Sequence, residues 1–323
     1  MKNKFRMLLF ILTVSMLCIL AGCGSEKQDD GKINIVCTVY HAYDFIMNIV
    51  GDNVDNVNVA YLLEKGVDMH NFQPTAEDII NITSSDLMVY VGGESDSSIK
   101  DIIGSVNANS VPLLSLVEVK EEELLPGMEH DHEHDESCEI DHEHEAEYDE
   151  HVWLSVKNSI VIVDKLCEAV CAIDPDNADS YKTNAKAYTE KLTALDKKYE
   201  DMVGKAVRNI VLVADRFPFA YLADDYNLTC YAAFPGCSAE TEAGFETDVF
   251  LAETLKANKL PVIFTLENSD GAVAKTVASS AGVSVKTGVL DSMQSVSRTQ
   301  IDNGYSYIGA MEANLAALWE ALN

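Results

Sequence analysis

Histidine residues are concentrated in one short, acidic part of the chain. The stretch 121–151 holds 15 acidic residues and no Lys or Arg, and five of the eight histidines lie between positions 130 and 144. These five are His130, His132, His134, His142 and His144. Neutral imidazole is a favoured ligand of zinc and similar divalent ions. Because almost no large apolar residue interrupts the segment, it predicts a loop that cannot bury a core and that collects metal ions.

Two further histidines, His70 and His151, lie next to predicted helices and strands, which should hold their side chains in fixed positions. Flexible ligands must be ordered when they bind, so a tight site is expected outside the loop. His70 lies in GVDMHNFQPTAEDI, a connection from a strand to a helix, and His151 opens EHVWLSVKN just before a helix. Asp68 and Asp149, each two residues from a histidine, are weak candidates for orienting the rings. Solvation at the surface is the favoured reading of both carboxylates.

Two other residues that could do chemistry are given structural roles. His41 stands between aromatic residues in VYHAYDF and is expected to be packed or at the surface, with a position at the metal site as the alternative. Cys237 in PGCSAET has no identifiable His partner, so it is expected to serve structure and not to act as a nucleophile.

The charge and length limit the possible functions. The 323 residues include 23 Lys+Arg and 53 Asp+Glu, giving a formal charge of −30, which excludes nucleic acid as a natural partner. The hydrophobic content of 47% is that of a folded protein, and the length suggests two domains.

The N-terminus resembles a bacterial lipoprotein signal. Three basic residues precede the apolar run 7–20, and Ala21-Gly22 precede Cys23. The run is shorter than the roughly 20 residues that span a bilayer. We expect a signal peptide at 1–22, lipidation of Cys23 and a tether over 23–31, which places the protein at the extracytoplasmic face of the membrane. An uncleaved anchor helix is the alternative and gives the same compartment.

The rest of the chain alternates strand-like and helical patterns, which is typical of α/β units with parallel strands. We expect two lobes, each a mainly parallel sheet flanked by helices, joined by one long rigid helix. The predicted boundaries are 32–170 for the N-terminal lobe with an acidic His-rich loop at 121–150, 171–205 for the linking helix and 206–323 for the C-terminal lobe.

Several motifs, in order along almost the whole mature chain, resemble one family. GVDMHNFQPTAEDI is similar to Gly-x-x-x-His-x-(Phe/Tyr)-x-Pro-(Ser/Thr), and DEHVWLSVKN to Asp-Pro-His-x-Trp-Leu-x-x-x-Asn, of the zinc and manganese solute-binding lipoproteins of ABC importers. DRFPFAYLADDYNL, TLENSD and VLDSMQSV resemble later segments of the same family. The resemblance implies a metal ion held in a cleft between two lobes, with His70 as first ligand, His151 as second and Asp291 as last.

The third ligand position departs from the family pattern. Where the family usually has His or Glu, this sequence has Arg216, whose guanidinium offers no lone pair, so we place Arg216 near the site but not as a ligand. It could pair with Asp291 or Glu267. The site could instead be completed by water or by one of the acidic residues Asp215, Glu240, Glu242 and Glu267.

The resemblance implies a monomeric receptor that captures a metal ion and delivers it to an ABC permease, without catalysing a reaction. The His-rich loop favours Zn(II), although Mn(II) accepts the same ligands with more oxygen. A secreted metalloenzyme is one alternative, weakened by the absence of HExxH and of a general base beside the histidines. An extracellular metal buffer is another, and removal of 129–147 would separate it from a receptor.

Overall fold

A computed structural model describes residues 31–51, 55–105, 109–128, 148–238 and 243–323. Several predicted features lie outside these residues: the signal peptide, Cys23, Glu240, Glu242, His130, His132, His134, His142 and His144. Within the described residues, no helix is both long enough and apolar enough to cross a membrane.

The N-terminal lobe is a parallel four-stranded sheet with strand order β2-β1-β3-β4. Its elements are β1 (Ile33–Cys37), α1 (Tyr40–Val50), β2 (Val57–Tyr61), α2 (Ala76–Thr83), β3 (Leu87–Tyr90), α3 (Ser97–Ser105) and β4 (Ser110–Pro112). The register pairs Ile35 with Val59 on one side and with Leu87 on the other. Strand β3 is buried along its whole length, as expected for a parallel sheet covered on both faces.

The C-terminal lobe repeats this arrangement with strand order β6-β5-β7-β8. Its elements are β5 (Ile210–Phe217), α6 (Ala220–Asp225), β6 (Thr229–Pro235), α7 (Phe245–Ala257), β7 (Val262–Leu266), α8 (Ala272–Ala281), β8 (Lys286–Leu290), α9 (Arg298–Asp302) and α10 (Tyr307–Leu322). The pairing of β5 with β6 is irregular between Val213 and Arg216. Such an irregularity turns the side chains that follow it.

Two helices, α4 (Val156–Ile173) and α5 (Ala178–Val203), separate the sheets along the chain. Between them lies a short 3-10 turn, Pro175–Asn177, and the long helix α5 begins directly after it at Ala178. The apolar residues of α5 recur at helical spacing and are buried: Tyr181, Ala185, Tyr188, Leu192, Leu195, Tyr199 and Met202. The 26 residues span about 39 Å at the usual rise per residue.

Helix α5 contacts both lobes. The Tyr188 hydroxyl donates to Asp44 Oδ2 in α1 at 2.7 Å, and the Tyr199 hydroxyl donates to the Met311 carbonyl in α10 at 2.7 Å. One continuous apolar core contains buried residues of both lobes and of α5, among them Ile46, Tyr199 and Phe264. The predicted fold class, two parallel-sheet α/β lobes with a long helix, is confirmed. The exact domain boundaries stay predictions.

Candidate metal centre

His70 is held by a short turn that follows β2. The turn Met69–Asn71 begins at Asp68, whose Oδ1 accepts a hydrogen bond from the His70 backbone amide at 3.0 Å. Met69 is 3% exposed and fixes the turn to the apolar core. The His70 side chain is therefore presented from an anchored turn.

His151 is fully buried and begins the 3-10 turn Val152–Leu154, which leads into α4. Its backbone amide and its Nδ1 both contact Asp149 Oδ1, at 2.8 and 2.9 Å. Trp153 is also fully buried, and its Nε1 donates to the Ser292 carbonyl of the C-terminal lobe at 3.0 Å. Asp149 is 2% exposed, so the expectation that its carboxylate is solvated at the surface is wrong.

The two imidazoles face each other through their Nε2 atoms, which are 3.4 Å apart. His70 Nδ1 lies 3.0 Å from Ser95 Oγ, and the Ser95 hydroxyl donates to Glu150. Since that hydroxyl donates to the carboxylate, it accepts the Nδ1 proton of His70, just as Asp149 accepts the Nδ1 proton of His151. Both Nε2 lone pairs therefore point into the same space.

Sequence reasoning missed Ser95 and Glu150. Glu150 is 2% exposed, and it also accepts the Ser95 backbone amide at 2.9 Å. Gly93 makes room for it, because a Cβ at position 93 would stand 2.2 Å from the Glu150 carboxyl carbon. No local pattern marks these contacts, since Ser95 lies after β3 and Glu150 lies before α4.

Gln294 closes one side of the site. Its side-chain Nε2 lies 2.9 Å from His70 Nε2 and 2.6 Å from His151 Nε2, so the amide donates to both lone pairs. The residue before it, Met293, has a φ of 61°, an unfavourable backbone conformation for a side chain of this size. Asp291 Oδ1 stabilises this bend by accepting the Met293 amide at 2.9 Å. Sequence reasoning did not find Gln294.

Cys237 is the third potential ligand at this place. Within the described residues, one group of three His, Cys or acidic side chains has all its ligand atoms within 4.8 Å of one another, and its members are His70, His151 and Cys237. Burial, followed by the nearby carboxylates of Glu122 and Glu150, raises the pKa of the Cys237 thiol. The premise that Cys237 has no His partner is wrong, because two histidines lie beside it.

The predicted carboxylate ligands are not members of this group. Asp291 Oδ2 accepts the Tyr305 hydroxyl at 2.6 Å, and Glu267 accepts the backbone amide and the hydroxyl of Ser292 at 2.8 and 2.5 Å. Burial and the charge of Asp291 raise the pKa of Glu267 to about 7. Asp215 Oδ2 accepts the Leu266 amide at 3.3 Å. A ligand role for Asp291, Glu267 or Asp215 stays a prediction.

Arg216 forms its ion pair with Asp68 instead of Asp291 or Glu267. Its Nη2 lies 2.8 Å from Asp68 Oδ2, and each of the two side chains is 20% exposed. The pair connects β5 of the C-terminal lobe to the turn that carries His70. A cavity of about 920 Å³ beside the pair is lined by residues of both lobes, including Lys65 and Glu267.

His41 lies behind the site. It is fully buried, its ring stacks on Trp153 at a centroid distance of 3.9 Å, and neither ring nitrogen has a hydrogen-bond partner among the described residues. Burial and the charge of His151 lower the pKa of His41 well below its ordinary value. The ring thus packs behind His151 as a neutral group.

A family model and two related sequences all connect this chain with zinc-binding or zinc-uptake proteins. The family described as "Zinc-uptake complex component A periplasmic" (ZnuA) matches residues 35–321. The zinc-binding lipoprotein AdcA of Streptococcus pneumoniae serotype 4 is 34% identical over 310 residues, which cover 95% of this chain and 60% of AdcA. The high-affinity zinc uptake system protein ZnuA of Bacillus subtilis is 32% identical over 320 residues. The alignment covers 97% of this chain and 97% of that protein.

A solved structure agrees. The Zn(II)-bound ZnuA-like domain of S. pneumoniae AdcA superposes with a TM-score of 0.71 at 30% identity, covering 90% of this chain and 99% of that domain. The chain spans about 60% of the length of the AdcA relatives that it matches. The AdcA relatives are named for zinc binding and the ZnuA relative for zinc uptake, in agreement with the expected family. Because the family model matches most of the chain, the chain belongs to the ZnuA family of periplasmic zinc-uptake components.

Proposed function

We propose that this protein captures Zn(II) in the cleft between its lobes and delivers it to the permease of an ABC importer. It acts as a monomer on the extracytoplasmic face of the membrane, anchored through lipidated Cys23. The observation that carries the proposal is the pair of facing Nε2 atoms of His70 and His151, 3.4 Å apart, with each Nδ1 held by a side-chain oxygen.

The spacing of the two Nε2 atoms suits zinc. With Zn–N bonds of about 2.0–2.1 Å and tetrahedral angles, two nitrogen ligands stand about 3.3–3.4 Å apart. Two imidazoles also favour zinc over manganese, which prefers oxygen ligands. The ring of His70 is ready to bind at neutral pH, because burial and the charge of His151 lower its pKa to about 4.

The His-rich loop supplies metal ions to this site and is not the tight site itself. Its two ends are held together beside His151, because Glu121 and Tyr148 form an antiparallel bridge and the Asp149 amide donates to the Lys120 carbonyl at 2.9 Å. Ions collected by the loop are thereby concentrated near His151.

Calorimetric titration of the metal-stripped mature protein with Zn²⁺ tests the proposal. We expect one tight site that survives removal of 129–147 and that is abolished by His70→Ala and by His151→Ala. His142→Ala, a matched change within the loop, should leave the tight site unchanged. Loss of the tight site on removal of the loop, with no effect of His70→Ala, would identify a metal buffer and overturn the receptor proposal.

A further inference from the structure

We infer that Cys237 is the third zinc ligand, binding through its thiolate together with His70 and His151. This inference rests on the proposed function, since it completes the same site. It also gives the C-terminal lobe a ligand where the family pattern would have placed one at Arg216.

The backbone brings the cysteine to the site. Arg216 pairs with Phe234 in the register of β5 and β6, so the chain after Pro235 turns across the end of β5. At this turn Gly236 packs directly on the imidazole, because a Cβ at position 236 would lie 2.9 Å from His151 Cε1. Cys237, the next residue, therefore follows a backbone that touches one of the histidine ligands.

The distances allow a zinc site with only a small rearrangement. The three ligand atoms lie within 4.8 Å of one another. In tetrahedral zinc, with a Zn–S bond of about 2.3 Å and Zn–N bonds of about 2.0–2.1 Å, sulfur and nitrogen stand about 3.6 Å apart. A movement of about 1 Å, within reach of a cysteine side chain, closes the difference.

Arg216, the residue of β5 at the family's usual ligand position, forms an ion pair with Asp68. Arg216 is drawn to Asp68 by an ion pair of 2.8 Å, which keeps its positive charge on the turn of His70 and beside a compensating carboxylate. The neighbouring turn after β6 can then present its thiol without a competing side chain from β5.

The thiolate sets the selectivity of the site. On binding, the S–H bond of Cys237 breaks, its proton passes to solvent, and a Zn–S bond forms with no change of oxidation state. Two neutral imidazoles and one thiolate make a soft, nitrogen- and sulfur-rich site that suits Zn²⁺ and disfavours Mn²⁺. The three ligands come from a turn of the N-terminal lobe, from the residue before the 3-10 turn that leads into α4, and from a turn of the C-terminal lobe, so the ion joins both lobes.

Cobalt(II) titration of the full mature protein tests this inference, because a Co–thiolate bond gives a near-ultraviolet charge-transfer band that Co–imidazole bonds do not. The loop contains another cysteine, so every protein in the series carries Cys138→Ser. We expect the band at one equivalent of Co²⁺, its loss in Cys237→Ser, and its retention in Cys230→Ser, a matched change on β6. Zinc affinity should fall at least about a hundredfold in Cys237→Ser, since even partners of ligands contribute 10- to 100-fold.

A second measurement uses the unsubstituted protein, so that it does not depend on the folding of a variant. Stoichiometric zinc should protect Cys237 from alkylation by iodoacetamide, measured by peptide mass spectrometry. A protein that lacks the cobalt band and gains no protection, but still loses tight zinc binding in His70→Ala, would overturn the inference and leave the proposed function intact. A zinc affinity that is unchanged in both His70→Ala and His151→Ala would instead overturn the proposed function.

Discussion

At the scale of single residues, the hydrogen bond at Nδ1 of each of the two histidines determines whether its Nε2 atom is free to bind an ion. Asp149 accepts the Nδ1 proton of His151, and Ser95, itself bonded to Glu150, accepts that of His70. A proton fixed on Nδ1 leaves the Nε2 lone pair available to a cation. These buried carboxylates and the serine thus decide which tautomer each histidine adopts.

Asp149→Asn should weaken zinc binding about 10- to 100-fold while leaving the protein folded. The amide of Asn can donate to Nδ1, which moves the imidazole proton to Nε2 and blocks the ligand atom. Competition titration against a zinc chelator measures the effect. Asp101→Asn, the same change on the exposed face of α3, is the control, and equal affinities for the two variants would contradict the proposed orientation of His151.

Gln294→Ala should strengthen zinc binding, by about five- to 150-fold. The Gln294 amide donates to both Nε2 atoms, and zinc must replace these two hydrogen bonds, each of which contributes about 0.5–1.5 kcal/mol. The same competition titration provides the measurement. A decrease in affinity would mean that the amide turns and coordinates zinc through its oxygen.

The imidazole of His70 should titrate near pH 4 in the metal-free protein, because burial and the charge of His151 lower its pKa to about 4. In the unfolded chain a histidine titrates near 6.5, so the unfolded state binds more protons between about pH 4 and 6.5. This group therefore makes the metal-free protein less stable as the pH falls through that range. NMR titration of the His70 ring, assigned with His70→Ala, checks the value, and an inflection near 6.5 would contradict it.

At the scale of elements, an ion pair connects the two lobes at the site. Arg216 on β5 pairs with Asp68, and the other oxygen of Asp68 caps the turn that carries His70. The pair is only one-fifth exposed, so it is screened less than a pair at the open surface. We therefore expect Arg216 to position the turn of His70 and not to bind the metal ion.

A double-mutant cycle of Arg216→Met and Asp68→Asn should give a coupling of about 1 kcal/mol in the free energy of unfolding of the metal-free protein. Asn keeps an oxygen that can cap the His70 turn, so the cycle isolates the charge. Urea denaturation at low and high salt measures the coupling, which should shrink as salt rises. The control cycle uses Lys198 and Glu312, an exposed pair expected to couple weakly. Equal coupling in both cycles would contradict the role given to Arg216.

At the scale of the whole molecule, the two lobes share one apolar core and one long helix. Opening them widely would expose buried residues of both lobes and separate α5 from α1 or α10. The loading of zinc is therefore expected to involve local shifts of the ligand turns and not a large hinge motion.

Small-angle X-ray scattering of protein lacking 129–147 should give the same radius of gyration, within error, with and without zinc. The segment is removed so that metal binding to its histidines does not change the measured size. Thermal denaturation should nevertheless show stabilisation of about 2.7 kcal/mol when free zinc is 100 times its Kd. A clear compaction on zinc binding would show that the shared core does not prevent large closure.

The sequence by itself determined the class of fold and much of the chemistry. Alternating strand and helix patterns predicted two α/β lobes joined by one long helix, which the structure places at Ala178–Val203. Local motifs identified His70 and His151, because the type of residue and its position in a strand-to-helix connection are both local properties.

Only the tertiary structure decided the other contacts of the two histidines. Cys237 meets them through the register of β5 and β6, Asp149 is buried by packing between elements, and Arg216 turns to Asp68 after an irregularity in β5. The meetings of Cys237 with the histidines and of Arg216 with Asp68 join segments that are far apart along the chain, so no spacing in the sequence encodes them. The contact of Asp149 with His151 spans two positions, and only its burial depends on packing between elements. Contacts of that kind are fixed when the lobes pack, and they complete the candidate metal centre.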